Sequence, residues 1–272
     1  MKELEHYLDQ QLIRGRFHFT RKEAIKTLAL NARAFGDAAT RLIKKKQLVS
    51  PWRGFYLILR PEDRIAGAPD PVRWIDPLMK YLKLDYRISL LRAAAFHGSS
   101  HQAAMVFQVI VSKQLRGFDL GRHRIQFIYQ RSAAFSSTNQ DEWLQQLKSD
   151  TGFARVAGVE LTLLDSARYF HKVGGINSVA QMANDLGGKA DVRKLAKAAA
   201  CYENSSVRRL GYLLQYFGHE RQAKAVLPLV KKAKSMKPLD PSVRPLNEDL
   251  ASLPETDATW MLTLNALVEI DE

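Results

Sequence analysis

Several basic side chains lie in the segment NARAFGDAATRLIKKK, residues 31–46. Their types and spacing suit contacts with anionic groups. On a helix with about 100° per residue, Arg33, Arg41 and Lys44 face away from an apolar stripe. Such cations can neutralise phosphates, and arginine can also bond base edges. The pattern favours DNA binding over a merely solvated basic helix. The apolar stripe comprises Phe35, Ala38, Ala39, Leu42 and Ile43, and the polar face comprises Arg33, Asp37, Arg41, Lys44 and Lys45.

Two further groups of basic residues flank this helix in the sequence. Arg21 and Lys22 begin the preceding predicted helix, where free backbone N–H groups can also meet a phosphate. Arg53 lies at the tip of a predicted hairpin, beside Trp52, which is an apolar wedge or a packing residue. Acidic residues are scarce over residues 20–60, so little negative charge opposes an anionic partner. The predicted DNA-binding residues are Arg21, Lys22, Arg33, Arg41, Lys44, Lys45 and Arg53.

The two kinds of basic side chain suit different contacts. Arg33 and Arg41 are candidates for base or groove contacts, because arginine can bond guanine through two donors. Lys22, Lys44 and Lys45 are candidates for phosphate contacts, which position a protein on DNA without reading its sequence.

Other candidate catalytic or metal-binding residues form weaker patterns. His97 and His101 have a spacing that suits two metal ligands on one helix face, but Gly98 breaks the helix and no acid completes the set. Glu160 and Asp165 are the nearest carboxylate pair for a nuclease, yet no lysine follows them. Neither a phosphate-cradling glycine loop nor a nucleophile elbow occurs. We therefore predict no catalytic residue, no metal, no cofactor and no enzyme activity, with a metal-dependent nucleic-acid enzyme as the alternative.

The elements that would position the basic residues follow a recognisable order. A helix ends near Gly15, a short strand FHF follows, and Thr20 with Glu23 forms a capping-box pattern that begins a helix reaching Leu30. Asn31 can cap the basic helix, a more common role here than reading adenine. The segment LVSPWRGFYLIL predicts two strands around a turn. The order helix, strand, helix, helix, hairpin is that of a winged helix-turn-helix.

The remaining chain predicts a larger mixed domain with a helical end. The segment RPEDRIAGAPDP is rich in proline and glycine, which places a linker at residues 61–71. In this part YRISLLRAAAFHG is typical of a helix, and a further helix is expected to begin at Thr162. The segment VRRLGYLLQYFG predicts a core helix with Arg208 and Arg209 on its rim, or a partner surface.

Composition and charge restrict the possible classes of protein. The 272 residues are 46% hydrophobic and 25% charged, as expected for globular domains. Of the net charge of +13, residues 1–60 carry +8, since they hold 13 basic and 5 acidic residues. The single cysteine, Cys201, fits a reducing compartment, and the sequence contains neither a membrane-spanning apolar run nor a secretory signal. We therefore expect a cytoplasmic location.

Several stretches, in order along nearly the whole chain, are similar to the AbiEi antitoxins, transcriptional regulators of abortive-infection (phage-defence) type IV toxin-antitoxin systems. These stretches are RGFYLILRPED, LLRAAAFHGSSHQAAMVFQVIVSK, RIQFIYQ, LTLLDSARYFHKVGGINSVAQMANDL and RRLGYLLQYFG.

The resemblance implies an N-terminal winged helix-turn-helix that binds inverted repeats in operator DNA and represses its own operon. It also implies a C-terminal domain that counteracts a nucleotidyltransferase-like toxin without a stable complex. A module that binds the toxin directly is the alternative. The expected fold is α+β, with residues 1–60 as the winged helix-turn-helix domain, 61–71 as the linker and 72–272 as the C-terminal antitoxin domain.

Overall fold

The computed structural model describes residues 2–99, 106–149, 152–230, 233–243 and 255–270. Helices and strands alternate irregularly along these ranges, so the predicted mixed α+β class is confirmed. In the described ranges, no helix has the length and apolar character needed to cross a membrane. The α-helices are α1 (Lys2–Ile13), α2 (Arg21–Leu28), α3 (Ala32–Lys44), α4 (Ile75–Leu82), α5 (Leu90–Phe96), α6 (Ser132–Thr138), α7 (Val159–Arg168), α8 (Ile176–Leu186), α9 (Val192–Ala199), α10 (Asn204–Tyr216) and α11 (Glu220–Val230).

The described strands form three sheets. The sheet orders are β1-β3-β2, β6-β7-β5-β4-β9-β8 and β10-β12-β11. The strands are β1 (His18–Thr20), β2 (Leu48–Trp52), β3 (Phe55–Ile58), β4 (Tyr86–Ile88), β5 (Val106–Val111), β6 (Phe118–Leu120), β7 (His123–Tyr129), β8 (Leu144–Ser149), β9 (Gly152–Ala157), β10 (Lys237–Pro238), β11 (Thr256–Asp257) and β12 (Leu262–Thr263).

The chain divides into two compact units that interleave along the sequence. The first unit comprises residues 1–87, 105–129 and 146–155, and the second comprises 88–104, 130–145 and 156–272. The first unit thus includes both the N-terminal 60 residues and the segment expected to be a linker. The predicted division at residues 61–71 stays a prediction.

The N-terminal elements of the first unit follow the predicted order of helix, strand, two helices and hairpin. Strand β1 pairs antiparallel with β3, and β3 pairs antiparallel with β2. The predicted capping box is present, since the Thr20 side chain accepts from the Glu23 N–H and the Glu23 side chain accepts from the Thr20 N–H. Helix α2 ends two residues earlier than predicted, because Ala29 adopts a left-handed conformation with φ of 50°.

A separate hydrophobic core lies beneath these elements. Phe19 and Phe35 are almost completely buried in it, and Tyr7 meets Phe19 edge-on with ring centroids 5.4 Å apart. In the apolar stripe of α3, Phe35, Ala39 and Leu42 are buried as predicted and Ala38 is partly buried. Ile43 is 40% exposed because it lies at the edge of the stripe. The other buried core residues are Leu4, Leu8, Ala24, Ala39, Leu42, Leu48 and Ile58.

The six-stranded sheet belongs mainly to the first unit. Within it, the neighbouring strands β5 and β7 pair parallel over six residue pairs, from Val106 with Arg124 to Val111 with Tyr129. The segment from Tyr86 was predicted as a helix, and this is wrong in part: Tyr86–Ile88 forms β4, and α5 begins only at Leu90. All three residues of β4 are buried, an environment in which an extended segment in a sheet satisfies its backbone through neighbouring strands.

The second unit is largely helical. Helix α7 begins at Val159, after Gly158, and not at Thr162 as predicted. The Thr162 hydroxyl donates to the Gly158 carbonyl at 2.8 Å, so it is satisfied within the helix instead of capping its start.

Arg208 and Arg209 were expected on an exposed rim of α10, and this is wrong, because both are buried. Arg209 donates to the carbonyl oxygens of Leu239 and Ala167, each at 2.7 Å. Burial lowers the pKa of the Arg209 guanidinium from its ordinary value. These side chains hold the C-terminal segment against the helices of the second unit.

Candidate nucleic-acid interface

The polar face of α3 forms a continuous exposed stripe. At about 100° per residue, its members span about 100° of the helix circumference, opposite the buried Phe35 and Leu42. Asp37 is the acidic residue on this stripe, and Thr40 is a neutral polar member that the sequence analysis missed. Thr40 could have been found by spacing alone, since it lies four residues before Lys44 and therefore on the same face of the helix. The exposed stripe residues are Arg33, Asp37, Thr40, Arg41 and Lys44.

Arg21 connects three elements at one end of this stripe. Its guanidinium donates to the Ala32 carbonyl at the start of α3, at 2.9 Å. The same group lies 5.9 Å from the centre of the Phe35 ring. Its backbone N–H donates to the Gly54 carbonyl of the hairpin turn at 2.8 Å. Arg21 therefore fixes the start of α3 relative to the start of α2 and to the hairpin.

Asn31 serves as the N-cap of α3. Its side-chain oxygen accepts from the Ala34 N–H at 2.8 Å, and its backbone is extended, as an N-cap requires. The cap satisfies an N–H group that has no partner within the helix.

The other basic residues differ in their surroundings. Lys45 forms an ion pair with Glu5 at 2.9 Å, and both side chains are partly exposed. Arg33 and Lys44 are exposed, and within the described part of the chain neither forms an ion pair. Lys22 is exposed on the first turn of α2 and Arg53 on the hairpin turn. Lys45 therefore offers a partner less accessible charge than Arg33 and Lys44 do.

The hairpin is braced by later parts of the first unit. The Trp52 ring lies 6.2 Å from the Phe118 ring and 6.4 Å from the Phe127 ring, centre to centre. The Tyr81 hydroxyl donates to the Arg53 carbonyl at 3.0 Å. Trp52 is thus a packing residue on the last position of β2, and Tyr81 holds the turn that carries Arg53.

The predicted alternatives for catalysis do not come together. Glu160 accepts from the Asp191 backbone N–H at 2.8 Å, whereas Asp165 accepts from the Ser89 hydroxyl and the Tyr202 hydroxyl, each at 2.7 Å. The two carboxylates therefore serve separate hydrogen-bond groups within the second unit. Among the described residues, no cluster of three histidine, cysteine or acidic side chains could hold a metal ion.

The two histidines considered as metal ligands cannot be compared as a pair. A ring nitrogen of His97 lies 2.7 Å from the Ala157 carbonyl, a structural hydrogen bond. His101 lies outside the described residues.

Comparison with known proteins identifies a domain in this chain. Residues 87–216, just under half of the chain, match the family model of the AbiEi antitoxin C-terminal domain. The chain carries an AbiEi antitoxin domain. The predicted resemblance to the AbiEi-type antitoxins is thus confirmed, and an antitoxin role in a toxin-antitoxin system, with a toxin as partner, follows from it. The matched family is one of antitoxins and is not known as an enzyme family. No curated protein matches the sequence of the antitoxin significantly.

A solved structure shares the fold of this antitoxin. The crystal structure of the RV2827C protein from Mycobacterium tuberculosis superposes with a TM-score of 0.60, covering 96% of this chain and 91% of that chain, at 16% sequence identity. At this identity the likeness extends to the fold alone.

Proposed function

We propose that this antitoxin binds operator DNA through an N-terminal winged helix-turn-helix and represses its own operon. The observation that carries the proposal is the exposed stripe of α3, which is neither covered nor, at Arg33 and Lys44, paired with a carboxylate in the described part of the chain. In this proposal α3 is the recognition helix that enters the major groove, and the hairpin of β2 and β3 is the wing.

The chemistry of the stripe suits both parts of DNA binding. Arg33 and Arg41 point from the same side of α3 and have the donors that base edges of guanine accept. Lys44 and Lys22 supply charge to phosphates, with release of condensed counterions. Lys45 contributes less, because Glu5 already offsets part of its charge. Arg21 is mainly a positioning residue, since its guanidinium donates to the Ala32 carbonyl.

The proposed partner DNA is an inverted repeat upstream of the antitoxin's own reading frame. The support is the similarity to the AbiEi antitoxins, which also underlies the proposal that the toxin is nucleotidyltransferase-like and is neutralised without a stable complex. Together these features describe a phage-defence system of the abortive-infection type that controls its own expression.

The decisive variant is Arg33→Ala with Lys44→Ala in the full chain. We expect it to bind the upstream duplex more weakly, by about 1–3 kcal/mol for a base-reading residue and by less for a phosphate-binding residue. The slope of log affinity against log salt should fall by about 1 for each phosphate that the variant no longer neutralises. Gel shifts and fluorescence anisotropy over a range of salt concentrations measure both quantities.

A matched control removes the same charge elsewhere. Arg193 and Lys194 are exposed on α9 in the second unit, so Arg193→Ala with Lys194→Ala should leave affinity and salt slope unchanged. If the α3 variant binds as tightly as the wild type, or if the α9 variant is equally weakened, the proposed role of α3 is wrong.

A further inference from the structure

A continuous series of interactions leads from α3 to a second basic segment within the first unit. Arg21 touches both the start of α3 and the Gly54 carbonyl of the hairpin turn. From the same hairpin, the Trp52 ring reaches the Phe118 ring, with centroids 6.2 Å apart. Phe118 is the first residue of β6. The segment just before Phe118 therefore lies beside the hairpin, connected to α3 through Arg21 and Trp52.

This segment, residues 112–117, connects β5 to β6 and is named here the flank loop. Arg116 precedes Phe118 by two residues, which is roughly 7 Å along an extended chain. The end of the loop is held close to β7, because a Cβ built on Gly117 would lie 2.6 Å from the Ile125 carbonyl. The Trp52–Phe118 contact thus places the end of the flank loop near the hairpin, and the closeness of Gly117 to Ile125 keeps it against β7.

The flank loop presents positive charge to solvent. Lys113 and Arg116 are exposed, and within the described part of the chain neither forms an ion pair. The nearest acidic residue in sequence, Asp119, bonds Arg124 at 3.1 Å, so its charge is already offset. Gln114, also exposed, adds a neutral hydrogen-bond donor.

We propose that the flank loop binds the phosphate backbone of duplex DNA beyond the stretch that α3 contacts, on the side of the hairpin. This inference rests on the proposed function and extends it to residues outside the N-terminal 60. Duplex DNA is the fitting occupant because a duplex bound to α3 continues past the hairpin as a regular line of negative charge. The flank loop would meet phosphates there, so it adds affinity and orientation without reading sequence.

The test is the variant Lys113→Ala with Arg116→Ala in the full chain. If both cations bind phosphates, the salt slope on the upstream duplex falls by about 2. Affinity at about 0.1 M salt falls by roughly tenfold to fiftyfold, as expected when two phosphates are no longer neutralised. Hydroxyl-radical footprinting should show that protection disappears at the outer flank of the site and is retained at its centre.

A shorter duplex distinguishes contacts at the outer flank of the DNA site from contacts at its centre. When the upstream duplex is shortened to the stretch protected in the footprint of the Lys113→Ala, Arg116→Ala variant, wild type and variant should bind it equally. On a duplex of arbitrary sequence at low salt, the variant should again show the lower slope, since phosphates are alike in every sequence. The α9 double variant is the charge-matched control on each probe.

The outcomes distinguish the two proposals. If the flank-loop variant keeps wild-type slope and footprint while the α3 variant is weakened, the flank loop does not bind DNA and the proposed function stands. If the α3 variant binds normally but the flank-loop variant is weakened, the role of α3 is wrong, and the proposed placement of the flank loop beyond the α3 contacts is overturned with it. If the wild type binds none of the duplexes, both proposals are overturned.

Discussion

At the scale of single residues, a partly buried histidine next to the hairpin links stability to pH. His18 stacks on Phe55 with ring centres 5.6 Å apart, and its Nδ1 is buried with no hydrogen-bond partner in the described part of the chain. Burial lowers the pKa of His18, while Glu23 and Asp76 raise it and Arg16 and Lys80 lower it by smaller amounts. The neutral imidazole is thus the form that the folded state favours.

The free energy of unfolding of the first unit should therefore decrease as the pH falls. The unfolded His18 has a pKa of about 6.5, and the folded value is lower. The stabilisation is fully present above the unfolded pKa and is lost as the pH falls through the folded pKa. We expect His18→Gln to lose less stability than the wild type between about pH 7 and pH 5, measured by denaturant unfolding.

The carboxylates titrate in the wild type and in His18→Gln alike. The difference between the pH dependences of these two proteins therefore reports on His18. A control, His6→Gln, makes the same substitution at an exposed histidine of α1 in the same unit, so that an effect specific to position 18 can be recognised. Identical pH dependence of the His18→Gln and wild-type proteins would show that His18 titrates alike in the folded and unfolded states.

At the scale of elements, the start of α3 depends on Asn31. Asn31→Ala should lower the free energy of unfolding by about 1 kcal/mol, since the Ala34 N–H loses its partner. Asn31→Ser should restore the cap and most of that stability. Urea unfolding measures the stability, and anisotropy with the upstream duplex measures DNA binding.

The serine variant also tests whether Asn31 reads a base. Serine keeps the cap but cannot form the paired hydrogen bonds that asparagine makes with adenine. We expect Asn31→Ser to bind the upstream duplex like the wild type. A loss of about 1–3 kcal/mol in binding with stability intact would instead assign Asn31 to base recognition.

The elements differ in how far sequence could predict them. The N-terminal order followed from local signals, above all the Thr20 capping box and the period of α3, because these patterns depend on residues a few positions apart. Strand β4 and the start of α7 were mispredicted, because a buried segment such as Tyr86–Ile88 takes its structure from distant strands.

The candidate site was predictable to a similar, partial extent. Spacing placed Arg33 and Lys44 on the exposed face of α3, where the structure has them. The ion pair of Lys45 with Glu5 spans 40 residues, and the packing of Trp52 on Phe118 spans more. Such long-range interactions leave no periodic signal in a single sequence.

At the scale of the whole molecule, the second unit holds its C-terminal segment through buried arginines. Arg208 donates to the carbonyls of Ser235 and Met261, and Gly211 leaves room for the Trp260 ring, which a Cβ would meet at 2.0 Å. The buried guanidinium of Arg208 thus has its partners within the second unit, which suits a structural role.

The proposed neutralisation without a stable complex makes a prediction for the full-length protein. Tagged antitoxin, co-expressed with its untagged toxin, should protect cells from growth arrest yet should not retain the toxin on an affinity column. The matched control is the Arg33→Ala, Lys44→Ala variant, which should still protect when both genes are expressed from foreign promoters. Stoichiometric retention of the toxin would instead assign the antitoxin to direct toxin binding.

The interleaving of the two units has a consequence for synthesis on the ribosome. Trp52 and Phe118 are 66 residues apart, so at ordinary translation rates roughly 3 to 13 s separate their addition to the nascent chain. During this interval the Trp52 ring has no Phe118 to pack against. A chain that stalls before β6 therefore leaves this indole in water, where chaperones and proteases that recognise exposed aromatic surface can act on the unfinished polypeptide.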